Sequence, residues 1–142
     1  MNSSHDLDHY INWRKSRINK LEQIFGKEYF RNRKILEVGA GNGLIGKFMH
    51  DNWGADVSFT EGRSELVQTI QFNNPGASVF QIDHDKPWNL DKRFDFIIHW
   101  GLLYHLDNWQ QDLACAVQHL DLGSILTLES EILDSFEDEE VK

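Results

Sequence analysis

The chain is poor in cysteine and proline: its 142 residues include one cysteine, Cys115, and two prolines, Pro75 and Pro87. One cysteine excludes an internal disulfide framework and suits a reducing compartment, so a cytoplasmic protein is expected. Cys115 lies among Leu113, Ala114, Ala116 and Val117, which reads as a buried helix position rather than a nucleophile. No apolar run approaches the roughly 20 residues of a membrane span. The opening Met1-Asn2-Ser3-Ser4-His5-Asp6 lacks the apolar stretch of a secretion signal, so no membrane partner is expected. Positive charge is also scarce. The net charge is −9, and residues 1–34 hold eight Lys or Arg against four Asp or Glu, while the rest hold six against nineteen. An acidic body repels nucleic-acid backbones, which argues against a nucleic-acid partner. The length fits one domain, 1–142, able to bury about two-thirds of its unfolded surface.

One stretch organises what is present: Lys34-Ile35-Leu36-Glu37-Val38-Gly39-Ala40-Gly41-Asn42-Gly43-Leu44-Ile45-Gly46. A short apolar run, the mark of a strand buried on both faces, breaks into alternating glycines. Apolar residues then resume at helical spacing, at Leu44, Ile45, Phe48 and Met49. Strand, glycine turn and helix let a ligand approach a helix N-terminus closely. The spacing is not the dinucleotide fingerprint, because Leu44 stands where G-x-G-x-x-G starting at Gly39 needs glycine.

The pattern from Glu37 to Gly43, acid-x-Gly-x-Gly-x-Gly, resembles motif I of the class I methyltransferases that use S-adenosylmethionine (SAM). The resemblance implies a Rossmann-like three-layer α/β sandwich with a parallel sheet in the order 3-2-1-4-5. It implies that Gly39, Ala40, Gly41, Asn42 and Gly43 wrap the methionine part of SAM and that Glu37 contacts its cationic amino group.

Asp56 to Thr60 reads as the second strand. Glu61, about 20 residues beyond the glycine loop at a strand end, stands where α/β nucleotide folds hold ribose hydroxyls. Ser64 to Asn73 reads as a helix stopped by Asn73-Asn74-Pro75-Gly76, and Ala77 to Ile82 as the third strand. Asp83 then falls where the family binds the adenine amino group, with His84 adding a ring or backbone contact. A metal site at Asp83, His84 and Asp85 is disfavoured, because consecutive side chains on an extended segment diverge; no metal is expected. Phe94 to Trp100 reads as the fourth strand and is followed by Gly101-Leu102-Leu103-Tyr104-His105-Leu106. That stretch resembles the small-molecule branch of the family and lacks the Asn-Pro-Pro-aromatic tetrapeptide of enzymes acting on DNA bases. The resemblance puts His99 and Trp100 beside the methionine part of SAM. His105 reads equally as a general base or as a histidine capping the turn.

Ahead of this core, residues 1–33 read as a helical cap with apolar residues at Leu7, Ile11, Ile18, Leu21, Ile24 and Phe25. Arg14, Lys15, Arg17 and Lys20 read first as a solvated face. The alternative makes Tyr10, Trp13 and Arg14 part of a lid. Asn108 to Leu120 reads as a helix with Leu113, Ala116, Val117 and Leu120 inward, Asp121-Leu122-Gly123 as a turn, and Ser124 to Glu129 as the fifth strand. The core is thus 34–132 and the acidic tail 133–142. The family's strands 6 and 7 have no counterpart, so the chain reads either as a truncated form or as a minimal version that completes itself by association, and the second reading expects a homodimer through the strand 5 edge. Methyl transfer from SAM to a small-molecule acceptor is the leading expectation. A SAM-binding module without transferase activity is the alternative, and a nicotinamide-binding protein on the same topology is a third reading.

Overall fold

The computed structural model describes residues 4–130, with side chains from Ile11 onward. The side chains of Leu7 and Tyr10 and the acidic tail 133–142 lie outside the described residues. Helix α1 spans Ser4–Phe25 and a 3₁₀ turn follows at Lys27–Phe30. Then come β1 (Lys34–Val38), α2 (Leu44–Trp53), β2 (Asp56–Glu61), α3 (Ser64–Asn73), β3 (Val79–Gln81), β4 (Phe94–Trp100), α4 (Trp109–Gln118) and β5 (Leu120–Glu129). The five strands form one parallel sheet in the order β3-β2-β1-β4-β5. This is the expected Rossmann-like three-layer arrangement, and no sixth strand occurs among the described residues.

Alternation along the strands sends side chains to two cores. Ile35, Phe59, Phe96 and Ile98 pack with α1, α2 and α3 through Ile18, Leu21, Met49, Trp53 and Ile70. Leu36, Val38 and Ile97 pack on the other face with Trp88, Cys115 and Ala116. Phe30 is fully buried and stacks on Trp53 at 5.2 Å between ring centroids, so the 3₁₀ turn after α1 is anchored by one of the costliest kinds of side chain to remove. Gly26 ends α1 with φ 80°, a conformation glycine adopts without strain.

Three details depart from the expected pattern. Ile24 is largely exposed rather than on the buried face of α1. Asp121, Leu122 and Gly123 do not form a turn but open β5, where the register with β4 slips between Phe94 and Phe96. The inward face of α4 is Asp112, Cys115 and Ala116, with His119 buried just past its end, while Val117 is exposed. The helix is therefore rotated relative to its most apolar reading, because a buried carboxylate takes an inward position.

Candidate functional site

A cleft of about 1090 Å³ opens at the C-terminal ends of β1, β2 and β4, where the strand order reverses. Of the residues expected at a ligand, Gly39, Gly41, Asn42, Glu61, Asp83, His84, Trp100 and His105 line it. Glu37, Ala40, Gly43 and His99 are buried behind it.

The glycine loop is left-handed at Gly39 (φ 61°), Gly41 (62°) and Gly43 (73°), which side chains adopt rarely. A Cβ on Gly39 would also come within 3.0 Å of Leu102 Cδ2. Three consecutive loop amides are tied to the end of β2. Gly39 N–H donates to Thr60 Oγ1 at 3.1 Å, Ala40 N–H to the Thr60 carbonyl at 2.9 Å, and Gly41 N–H to Glu61 Oε1 at 2.9 Å. Gly43 N–H turns back to the Ala40 carbonyl at 2.9 Å. These four amides, which a phosphate-binding loop could aim at its ligand, are here used within the protein.

The start of α2 is closed in the same way. Glu37 Oε1 accepts Gly46 N–H at 2.9 Å, so an internal carboxylate sits at the helix N-terminus. Glu37 is buried, and its Oε2 lies 3.7 Å from Arg14 Nη1 on α1. Burial pushes the carboxyl up to about 7, against the opposing pull of Arg14 and the Gly46 amide. The reading of Arg14 and Arg17 as a solvated face is corrected here. Arg14 is buried beside Glu37, and Arg17 pairs with Glu129 at the end of β5. Both guanidinium groups lie over the ring of Trp13, at 4.7 and 4.8 Å, and Trp13 in turn lines the cleft. Lys15 and Lys20 are exposed.

Glu61 is buried, and its Oε2 accepts Arg63 N–H at 3.0 Å and Arg63 Nε–H at 3.2 Å. The Arg63 side chain is exposed, so a ligand hydroxyl can replace that last bond. Asp83 is exposed at the cleft, and its Oδ1 accepts Asp85 N–H at 3.0 Å. His84 borders the cleft, but its ring is engaged on both sides. Nε2 meets Thr60 Oγ1 at 2.8 Å and Nδ1 meets Asp112 Oδ1 at 2.7 Å. Asp112 also accepts Trp88 Nε1–H at 2.9 Å, and its Oδ2 meets His99 Nε2 at 2.6 Å. Burial works against charge on Asp112, yet the hydrogen bonds from His84 and His99 hold its carboxyl well below the ordinary carboxylate range. His99 is fully buried on this carboxylate rather than facing the cleft. Asp112 went unread in the sequence. Its signal is the spacing 112, 115, 116, 119, one face of a helix in which an acid stands among inward residues.

The opposite wall is aromatic. Trp100, Tyr104 and His105 border the cleft, and the Tyr104 and His105 rings lie 4.1 Å apart between centroids. His105 is exposed, in the 3₁₀ turn Leu103–His105. Among the described residues no cluster of His, Cys, Asp or Glu is arranged to hold a metal ion.

Comparison with known proteins agrees with this geometry. A family model described as a methyltransferase domain matches residues 9–140. Over 125 residues the chain is 29% identical to the malonyl-(acyl-carrier protein) O-methyltransferase of Bacillus cereus, covering 84% of this chain and 46% of that protein. The fold superposes on DesVI of Streptomyces venezuelae with a TM-score of 0.73 at 13% identity, covering 95% of this chain and 60% of the other. A SAM-bound amino pentose methyltransferase from Micromonospora echinaspora gives 0.75 at 16% identity, covering 95% and 59%. The chain thus spans about half the length of the Bacillus protein and three-fifths of the two solved structures.

Proposed function

The chain belongs to the methyltransferase-domain family, and we propose on that premise that it binds SAM in the cleft and directs its methyl group to a small-molecule acceptor. The observation that carries the reading is the closed glycine loop. The amides of Gly39, Ala40 and Gly41 are held by β2 and that of Gly46 by Glu37, so these four are not offered to a pyrophosphate. Around the loop lie carboxylates, Glu61 and Asp83 lining the cleft and Glu37 behind it, with Arg63 paired to Glu61 and Arg14 to Glu37. Those carboxylates suit a ligand bearing hydroxyls, an amine and a positive sulfur.

When bound, SAM would supply an electrophilic methyl group that an acceptor lone pair takes in line, with S-adenosylhomocysteine as the leaving group. The protein's part is alignment, which contributes several kcal/mol when the reacting atoms are held in place. We assign Glu61 to the ribose hydroxyls, Asp83 with His84 to the adenine edge, and Gly39, Gly41, Asn42 and Trp100 to the methionine end. Ala40, Gly43, Glu37 and His99 shape that end from behind. His105 is assigned the proton released by the acceptor. Incubation with methyl-labelled SAM and a panel of small amines, alcohols and amino sugars tests transfer. Labelled product that requires folded protein supports it, and tight SAM binding with no product across the panel favours a binding module.

We treat 1–142 as one domain, with cap 1–33, core 34–132 and tail 133–142. The lone Cys115 supports a reducing compartment, and on that ground we place the protein in the cytoplasm; among the described residues no helix is long and apolar enough to cross a membrane. A homodimer through β5 is supported by the pairing of that strand, among the described residues, with β4 alone, and by the exposure of Leu122 and Leu128 along it. Sedimentation equilibrium at micromolar concentration decides between dimer and monomer.

A further inference from the structure

A line of buried polar groups runs from α4 to the glycine loop. Asp112 Oδ1 meets His84 Nδ1 at 2.7 Å, His84 Nε2 meets Thr60 Oγ1 at 2.8 Å, and Thr60 Oγ1 accepts Gly39 N–H at 3.1 Å. Four segments distant in sequence meet in it: α4, the loop after β3, the end of β2 and the loop after β1. Thr60, His84 and Asp112 are all buried.

The bonding is directional. A carboxylate only accepts, so His84 donates from Nδ1. In neutral His84 the Nε2 atom then accepts, and the Thr60 hydroxyl donates to it. That leaves a Thr60 lone pair aimed at the Gly39 amide. Each group is oriented by the one before it. Asp112 is itself fixed by Trp88 Nε1–H at 2.9 Å and by His99 Nε2 at 2.6 Å, so it cannot swing without breaking three contacts. Asp112, His84 and Thr60 all have partners in this line, and reorienting any one of them leaves a polar group without one.

We propose that Asp112, His84 and Thr60 form a positioning chain that fixes the Gly39 amide and so sets the loop on which the cofactor rests. Asp112 is the anchor and acts only through the others. None of the three is assigned contact with the reacting atoms. The consequence for SAM rests on the function proposed above, but the chain itself can be read without any ligand.

The test is amide hydrogen exchange followed by nuclear magnetic resonance, with a SAM titration in parallel. Thr60→Val keeps the shape and the Thr60 carbonyl but removes the hydroxyl. It is expected to speed exchange at Gly39 roughly tenfold or more while Ala40, bonded to the unchanged carbonyl, stays protected. Thr60→Ser is expected to restore Gly39 protection. Asp112→Asn and His84→Gln are expected to loosen Gly39 as well, although Asp112 does not touch it. Thr60→Val leaves the Gly39 amide and His84 Nε2 without their Thr60 partner, and SAM Kd is expected to rise about tenfold in it and recover in Thr60→Ser. Equal loss at Gly39 and Ala40 would overturn the proposal, because it marks general loosening. Unchanged Gly39 exchange in Thr60→Val would overturn it too. If the wild-type protein binds no SAM, the functional reading fails, while selective exchange at Gly39 still decides the positioning chain.

Discussion

Glu61 Oε1 accepts the Gly41 amide at 2.9 Å, so the acid that ends β2 also holds the loop that follows β1. One side chain therefore has two tasks in the proposed site, to shape the loop and to meet the ribose. Glu61→Ala is expected to weaken SAM binding by roughly 1.5–3 kcal/mol, the range for hydrogen bonds to a charged group. A 2′,3′-dideoxy analogue of SAM is expected to lose much less, and what it does lose measures the loop. Equal losses for both ligands in a titration would show that Glu61 acts through Gly41 alone.

Glu37 gives the domain a pH dependence of definite sign. Burial raises its carboxyl from 4.5 to about 7 in the folded protein. A group whose folded value is raised contributes most below the unfolded value and loses that contribution as pH rises through the folded one. Wild-type stability relative to Glu37→Gln is therefore expected to fall between about pH 4.5 and 7, by about 3 kcal/mol at most. Urea unfolding of both proteins across that window checks it. A difference that stays flat would mean that Glu37 ionises freely within the fold.

The sequence was most legible where one physical cause acted alone. The apolar run of β1, the glycine turn and the end of α3 at Asn73 follow from local chemistry, and the structure places them as read. The backbone of the cleft was legible, and so was the place of Glu61 at its wall, which follows from topology. The site was less legible where pairing between distant segments decides the outcome. Arg14 looks like part of a charged surface, and only the fold brings it to Glu37. His99 looks like a residue at a strand end facing ligand, and only α4 supplies the carboxylate that draws it inward. Residues 121–123 look like a turn, and only the register with β4 draws them into a strand.

Gly46 tests the packing behind the loop. A Cβ there would run into the Phe59 ring and come within 2.8 Å of Val57 Cγ1. Alanine favours a helix over glycine by up to about 1 kcal/mol, but overpacking a filled core costs about 1–3 kcal/mol. The clash dominates, so Gly46→Ala is expected to lower stability in denaturant unfolding. A stabilised variant would mean that the β2 face yields.

His105 tests the chemistry apart from binding. Its ring is exposed beside Tyr104 and outside the buried network. His105→Gln is expected to lower turnover about 10²–10⁴-fold once an acceptor is found, with SAM affinity little changed. Turnover that merely follows the folded fraction would make it a structural residue of its turn.

We hold that this cleft takes SAM rather than a phosphate-bearing dinucleotide. Isothermal titration of the folded protein, at neutral pH, with SAM and then with NAD is the direct measurement. Saturable one-site binding of SAM, with no heat from NAD over the same concentration range, is the predicted result. Binding of NAD, or the absence of SAM binding by protein shown to be folded by circular dichroism, would contradict it.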